Sequence, residues 1–248
     1  MTSVNRVVAV IRSYNNAAVV KQVKALRSFL PRIIVVTDAA KDRGATKAWL
    51  EELNDPCVDL IEIQEGYTWS NALNRALNRI ELINAKEKNE GYANPGCDYV
   101  FNVSVEARFE MRHLGAMLDR LDDQTVGVVG TTFSGQCEGN KVDLGLSYRH
   151  PRNTGMLVRL SVFGNRMVRD FDGFCDDIGG MEDIDFVCRM EVFTQMKSAM
   201  LDLKVPLIVG KHYNQVDKEL RERKAMGEIF FRYKTWSDRL HKVVKKFS

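Results

Sequence analysis

The chain contains 248 residues, of which 45% are hydrophobic and 28% are charged, and its formal net charge is +3. A chain of this length forms one large or two small domains and can bury a sizeable core. No segment approaches the roughly 18 uninterrupted apolar residues that a membrane span requires. The net charge is too small to indicate a nucleic-acid partner, and the apolar run near the N-terminus lacks the features of a signal peptide. The expected location is therefore the cytoplasm.

The first part of the chain alternates short β-branched runs with amphipathic stretches. In chain order the sequence predicts strand "RVVAVIRSY", helix 15–30, strand "RIIVVTD", helix 42–54, strand "VDLIEIQ", helix 68–84, strand "DYVFNVS", helix 110–121 and strand "TVGVVGTTF". Strict alternation of this kind predicts βαβ units around a mostly parallel sheet flanked by helices, which is an α/β fold.

The second part of the chain is less regular. It contains a polar, Gly-rich region at 134–153, strand-like runs "GMLVRLSVF" and "VPLIVGKHY", and a charged helical pattern after residue 216. No linker rich in Pro, Gly or Ser divides the chain, so we expect one compact domain over 1–215 and a helical tail over 216–248.

The tail carries a basic, aromatic-rich stretch, "FFRYKTWSDRLHKVVKKF". Such a helix lies on an anionic membrane surface or packs its apolar stripe on protein. Packing on its own domain is the favoured reading, and peripheral membrane contact and a homodimer stay open.

Several common site types are disfavoured by the motifs that the chain lacks. The turn after the first strand has no glycine, and neither G-x-G-x-x-G nor G-x-x-x-x-G-K-[ST] occurs, which argues against dinucleotide oxidoreductases and P-loop enzymes. No G-x-S-x-G elbow is present for a serine hydrolase. The five cysteines form no C-x-x-C pair and the four histidines show no H-E-x-x-H spacing, so a metal site must be assembled from distant segments.

The stretch "GGMEDIDFVCRM" places three acids at the start of a predicted helix. Acids in a first turn are stabilised by the helix dipole by about 0.3–1 kcal/mol each. Asp185 and Arg189 stand four residues apart, which predicts an ion pair on the helix surface worth about 0.2–0.5 kcal/mol. These local effects give Glu182 and Asp183 no specific role.

Seven motifs in one order resemble the family 2 glycosyltransferases with the GT-A fold. They are "VIRSYNN", "IIVVTDAAKD", "GYTWSNALNRAL", "CDYVFNVSVEARF", "NTGMLVRLSVF", "GGMEDIDFVCRM" and "VPLIVGKHYNQ". The resemblance covers about residues 4–215, with a nucleotide-sugar half at 1–106 and an acceptor half at 107–215. It implies transfer of a sugar from a nucleotide-diphosphate donor, most often UDP, with inversion favoured over retention. The acceptor would be a hydroxyl of a glycan, a lipid-linked molecule or a small molecule.

The resemblance also implies residues for the donor. Tyr14 would lie against the nucleotide, with Arg12 where the family usually has proline, and Asp38 corresponds to the acid that holds the base. The pattern "NALN" would place Asn74 near the diphosphate. Plainer readings stay open: a turn residue for Asp38, a packing aromatic for Tyr14 and a solvated helix residue for Asn74.

The family's Asp-x-Asp metal motif reads Ser104-Val105-Glu106 in this chain. The resemblance therefore implies Glu106 as a ligand for Mn²⁺ or Mg²⁺, with Ser104 in place of the first acid and His212 as a further ligand. His212 reads equally well as an ordinary loop histidine. In the Glu182-Asp183 pair, the resemblance makes Asp183 the general base that takes the acceptor's proton.

Two alternatives remain at the level of sequence. The hydroxyl at Ser104 and the two alanines after Asp38 leave open a degenerate transferase that binds nucleotide sugars or glycans without turnover. A sugar nucleotidyltransferase is the other alternative. That class typically carries a Gly-rich loop after the first strand, and this chain has none there.

Overall fold

The computed structural model of the chain describes residues 4–13, 16–91, 96–137, 151–152, 154–166, 168–169 and 182–209. The strands are β1 (Val7–Ser13), β2 (Arg32–Asp38), β3 (Val58–Ile63), β4 (Tyr99–Ser104), β5 (Val126–Cys137), β6 (Gly155–Arg159) and β7 (Lys197–Val209). The helices are α1 (Ala18–Arg27), α2 (Ala39–Asp42), α3 (Ala45–Leu53), α4 (Trp69–Asn89), α5 (Met111–Leu121) and α6 (Glu182–Phe193). Short 3-10 turns cover Val4–Arg6 and Leu160–Gly164.

One sheet of seven strands, in the order β3-β2-β1-β4-β6-β5-β7, forms the centre of the fold. β6 is antiparallel to both of its neighbours, and the other described strand pairs of the sheet are parallel. The predicted α/β fold with a mostly parallel sheet is therefore confirmed. The predicted tail at 216–248 lies outside the described residues.

Side chains of the central strands alternate between two buried faces. Val8 and Val10 of β1 pack with α4 and α6 in one core cluster. Val7 and Ala9 pack in a second cluster, with α1 and α5 on the opposite face. All seven residues of β1 are buried, as expected for a strand covered by helices on both sides.

The element bounds differ from the prediction mainly after β5. The predicted strand "GMLVRLSVF" ends at Arg159, and the next residues form the 3-10 turn. β7 begins at Lys197, eight residues before the predicted strand "VPLIVGKHY". Its first part was missed because it lies at the sheet edge with half-buried side chains and includes Lys204 at a positive φ of 49°.

Among the described residues, no helix combines the length and the apolar character that crossing a bilayer requires.

The neutral ring of His113 caps the N-terminus of α5 by accepting a backbone hydrogen bond. Its Nδ1 accepts a hydrogen bond from the Glu110 backbone N–H at 3.1 Å. Burial lowers the pKa of His113 below its usual range, against the raising effect of the Glu110 carboxylate. The capped form therefore requires an unprotonated ring.

We expect this cap to make stability fall in mild acid. The unfolded chain binds a proton on this ring near pH 6.5, whereas the folded chain resists it, so the contribution is complete above about pH 6.5 and declines below it. His113→Gln keeps an acceptor at the same helix position but cannot titrate. Between about pH 7.5 and pH 5, urea unfolding should show the wild type losing about 1 kcal/mol more stability than the variant. Equal losses would contradict the assignment.

Candidate active site

The carboxyl ends of the central strands bring three predicted site residues to one face of the sheet. Arg12 pairs in register with Val36 of β2 on one side and with Ser104 of β4 on the other. Arg12 continues the alternation of Val8 and Val10, which point toward α4 and α6. Asp38 ends β2, two residues after Val36, and shares that face.

Arg12 is a buried guanidinium that stacks on an aromatic ring. Its Cζ lies 3.3 Å from the centre of the Trp69 ring, at the first residue of α4. Burial lowers the pKa of Arg12 to about 10, while Tyr67 and the carboxylates of Glu182, Asp183 and Glu106 raise it. The group thus remains charged at neutral pH, with carboxylates from two other segments in electrostatic range.

Ser104 and Glu106 form a local pair at the end of β4. The Ser104 hydroxyl donates a hydrogen bond of 2.5 Å to Oε2 of Glu106. The backbone of this segment is held by β7, because the Ile208 N–H donates to the Glu106 carbonyl oxygen at 3.0 Å and the Arg108 N–H donates to the Pro206 carbonyl oxygen at 2.8 Å. The hydroxyl that replaces the first acid therefore orients the remaining carboxylate.

The acids of α6 approach the same cluster from the helix N-terminus. Asp183 is only 3% exposed, and its Oδ2 lies 3.4 Å from Nε of the buried Arg152. Its Oδ1 accepts from the Ile184 backbone N–H at 2.9 Å. Glu182 is half-buried and lies in electrostatic range of Arg12.

The described cluster has an excess of negative charge. Its guanidinium groups are Arg12 and Arg152, and its carboxylates are Glu106, Glu182 and Asp183. Asp183 is buried, whereas Glu106 and Glu182 are half-buried. Carboxylates that are partly removed from water and only partly compensated attract cations and disfavour a further anion that arrives without one.

Comparison with solved structures identifies the fold. A mannosyltransferase from Pyrobaculum calidifontis in complex with GDP-Man and Mn²⁺ has a TM-score of 0.65 at 15% identity, over 97% of this chain and 68% of its own. S. aureus TarS, residues 1–349, has a TM-score of 0.60 at 13% identity, over 98% of this chain and 70% of its own. GalNAc-T7 with UDP, GalNAc and Mn²⁺ has a TM-score of 0.62 at 10% identity, over 83% of this chain and 44% of its own. The chain has the GT-A fold.

No protein-family model matches the chain, and no curated protein matches it in sequence. At identities of 10–15% the similarity establishes the GT-A architecture, and the roles of single residues must be argued from their contacts in this chain.

Two other predicted donor residues have structural contacts in this GT-A domain. Asp38 caps the short helix α2, accepting from the Lys41 backbone N–H at 3.2 Å and pairing with its Nζ at 3.6 Å. Asn74 lines a cavity of about 290 Å³ between α4 and the 3-10 turn after β6. Asn74 is five positions after Trp69 in the helix. Because each position turns by about 100°, the two side chains point about 140° apart around α4. Tyr14 and His212 lie outside the described residues.

The candidate site also contains residues that the sequence analysis did not single out. Arg152 lies within the Gly-rich region. Trp69 lies in "GYTWSNALN", and the sequence shows an aromatic residue at the start of the helix but not that it stacks with Arg12. Within the described residues no three His, Cys, Asp or Glu side chains converge as a metal centre would require.

The predicted ion pair between Asp185 and Arg189 is present, but the prediction that it lies on the helix surface is wrong. The two side chains do pair, with Nε of Arg189 2.9 Å from Oδ2 of Asp185, but both are 0% exposed. Every residue from Asp183 to Met190 is buried, because α6 packs inside the core cluster with Ile184, Phe186 and Val187. The pair is therefore a buried one.

Asp185→Asn should consequently destabilise the fold strongly. The change leaves the Arg189 guanidinium buried without the carboxylate that contacts it, and breaking such a pair costs about 3–5 kcal/mol. Urea unfolding measures this loss. A matched control is Asp59→Asn, because Asp59 pairs with Arg79 through the same atoms at 2.6 Å on the surface and should cost less than about 1 kcal/mol. Equal small losses for both variants would contradict the role of burial.

Proposed function

We propose that this chain is a glycosyltransferase that moves a sugar from a nucleotide-diphosphate donor to a hydroxyl acceptor. The observation that carries the proposal is the charged cluster of Arg12, Glu106, Glu182 and Asp183 at the carboxyl edge of a GT-A sheet. Ligands of open α/β sheets bind at this edge, and the cluster supplies both a carboxylate for a metal and a carboxylate for a proton.

UDP is the proposed donor nucleotide. Support comes from the complex of GalNAc-T7 with UDP, while the complex of the Pyrobaculum mannosyltransferase with GDP-Man makes GDP the alternative. Asp38, at the end of β2, is the proposed contact for the base, and Arg12 lies one strand away toward Ser104. A thermal-shift screen of UDP and GDP sugars, with and without Mn²⁺, tests this, since a ligand at 100 times its Kd stabilises by about 2.7 kcal/mol.

The residues at the end of β4 fit a divalent cation bound together with phosphate. Mg²⁺ and Mn²⁺ take oxygen ligands from one or two carboxylates plus substrate phosphates. The Ser104 hydroxyl donates a hydrogen bond to Oε2 of Glu106, which leaves Oε1 of Glu106 for a ligand. Because the cluster already carries excess negative charge, a diphosphate needs a cation to enter it, and Mn²⁺ or Mg²⁺ would supply that charge. His212 is proposed as a second protein ligand.

Asp183 is the proposed proton acceptor. A sugar hydroxyl is a weak nucleophile and must lose its proton as it attacks the anomeric carbon on the face opposite the leaving diphosphate. Asp183 lies at the start of α6, within electrostatic range of Arg12, and Arg152 contacts its Oδ2. Attack from this face inverts the anomeric carbon, and Glu182 beside it is proposed to contact the acceptor.

A non-catalytic sugar-binding module is the second candidate, because the end of β4 has one acid rather than two. Release of nucleoside diphosphate from UDP-glucose, UDP-N-acetylglucosamine or GDP-mannose distinguishes the two. A non-catalytic module would bind one of these nucleotide sugars with a measurable Kd but would release no nucleoside diphosphate.

Glu106→Ala should weaken Mn²⁺-dependent binding of UDP by about 10–100-fold, the usual cost of damaging a metal site. The fold should survive, because β7 holds residue 106 through its backbone carbonyl oxygen. Calorimetric titration with UDP, with Mn²⁺ and with a chelator, measures the effect. Glu110→Ala, which removes an exposed carboxylate at the start of α5, is the control and should leave UDP binding unchanged. Unchanged Mn²⁺-dependent affinity in Glu106→Ala would remove Glu106 from the proposed metal site.

Asp183→Asn should lower the transfer rate by about 10²–10⁴-fold, the usual contribution of a positioned proton acceptor. Affinity for the donor should be retained, because the proposed base faces the acceptor. The measurements are kcat for diphosphate release and Kd for the donor, each on protein whose folding has been checked by thermal unfolding. A variant that folds and turns over at the wild-type rate would contradict the assignment.

A further inference from the structure

We propose that Arg152 is a positioning residue for Asp183: its guanidinium aims the carboxylate and offsets its negative charge inside a buried site. The inference rests on the proposed function, in which Asp183 accepts the acceptor's proton. Its physical basis is the buried contact between Nε of Arg152 and Oδ2 of Asp183 at 3.4 Å, with side-chain exposures of 8% and 5%.

The backbone around Arg152 is fixed by its neighbours. A Cβ on Gly130 of β5 would lie 2.5 Å from Cα of Pro151, so only a glycine lets Pro151 pack directly on the strand. The Arg152 carbonyl oxygen accepts from the Gly155 N–H at 3.0 Å, which places the arginine in a turn that leads into β6. The backbone of Arg152 is therefore bonded to the first residue of β6, and its neighbour Pro151 packs on β5.

The same turn connects Arg152 to the proposed metal end of the site. The Ser104 N–H donates to the Thr154 carbonyl oxygen at 3.0 Å, so the segment that carries Arg152 is bonded to the end of β4. At its other end, Arg152 contacts the first turn of α6 through Asp183. Arg152 thus sets the position of the proposed base relative to Glu106.

Burial makes a compensating charge necessary. An ionised carboxylate that leaves water without a partner is strongly disfavoured. Among the described residues, Asp183 contacts Arg152 and follows Glu182 on the same helix, while Arg12 of β1 lies in electrostatic range of Asp183, Glu182 and Glu106. Asp185 is engaged by Arg189. Arg152 and Arg12 therefore supply positive charge opposite these carboxylates.

The distance of the contact also fits a base rather than a purely structural pair. Strong guanidinium–carboxylate hydrogen bonds are about 2.7–2.9 Å long, as in the Asp185–Arg189 pair at 2.9 Å. The 3.4 Å separation at Asp183 is longer than this range, so Arg152 attracts the carboxylate through its charge rather than through a tight hydrogen bond, as positioning a proposed base requires.

The test is the pH at which Asp183 takes up a proton in full-length protein. In protein with isotope-labelled aspartate carboxyl carbons, the Asp183 resonance is the one missing from Asp183→Asn. Removing an opposite charge within about 4–6 Å eases protonation by about one to three pH units. We expect the titration midpoint of this resonance in Arg152→Gln to rise by at least about one pH unit. Arg152→Lys keeps the charge and should stay near the wild-type midpoint, and Arg152→Met serves if the glutamine variant does not fold.

The control is the second buried pair on the same helix. Arg189→Lys perturbs that pair, whose members lie two and six residues after Asp183 on α6, and should lower the unfolding temperature without moving the Asp183 midpoint. Midpoints of Arg152→Gln and Arg152→Met that both equal the wild-type value would overturn the proposal, and so would an equal shift in Arg189→Lys.

Turnover separates failure of this inference from failure of the proposed function. With whichever of UDP-glucose, UDP-N-acetylglucosamine or GDP-mannose is turned over, the acid limb of the kcat–pH profile of Arg152→Gln should move upward with the carboxyl midpoint. A merely structural role would lower kcat equally at every pH and overturn the inference alone. Full activity of Asp183→Asn would instead overturn the proposed base, whatever the midpoints.

Discussion

The arrangement of the site follows from one buried positive charge, the guanidinium of Arg12 in the middle of the sheet's carboxyl edge. β1 is buried on both faces, so a charged side chain near its end loses most of its hydration and must be offset by nearby anions and by an aromatic face. Trp69 provides the face, and Glu106, Glu182 and Asp183 provide the charge. Arg152 adds a second buried guanidinium in contact with Asp183. The positions of the start of α4, the end of β4 and the start of α6 are linked through these contacts.

The α/β architecture could be read from the sequence because the parallel strands are continuous β-branched runs separated by helical periodicity. β1, β2 and β4 begin and end within about two residues of the prediction. The early part of β7 could not be read in the same way. Half-buried residues on an edge strand, interrupted by a positive φ at Lys204, give a weak alternation, and pairing with β5 far away in sequence determines the strand.

The site was predictable where residues follow a strand and was not predictable where tertiary contacts decide. Arg12, Ser104 and Glu106 stand at strand ends, so the position of each along the chain fixes its place at the sheet edge. The burial of Asp185 was missed because helix spacing predicts which residues pair but not which side of a helix is covered. Arg152 gives no local signal either, since its partner is thirty-one residues away in the chain and is set by the close packing of Pro151 on Gly130.

The backbone hydrogen bonds between β7 and the segment after β4 determine when the candidate site forms during synthesis. The Glu106 carbonyl oxygen is bonded to Ile208, so the backbone that presents Glu106 is completed by one of the last described strands. The ribosome adds about 5–20 residues each second. The first strands can therefore pair for some seconds before β7 emerges, while the loop that carries Glu106 still lacks its anchor. A nascent chain that ends before β7 contains most of the strands but lacks the anchor of its proposed metal ligand, so the proposed donor site is completed late, together with the last described strand.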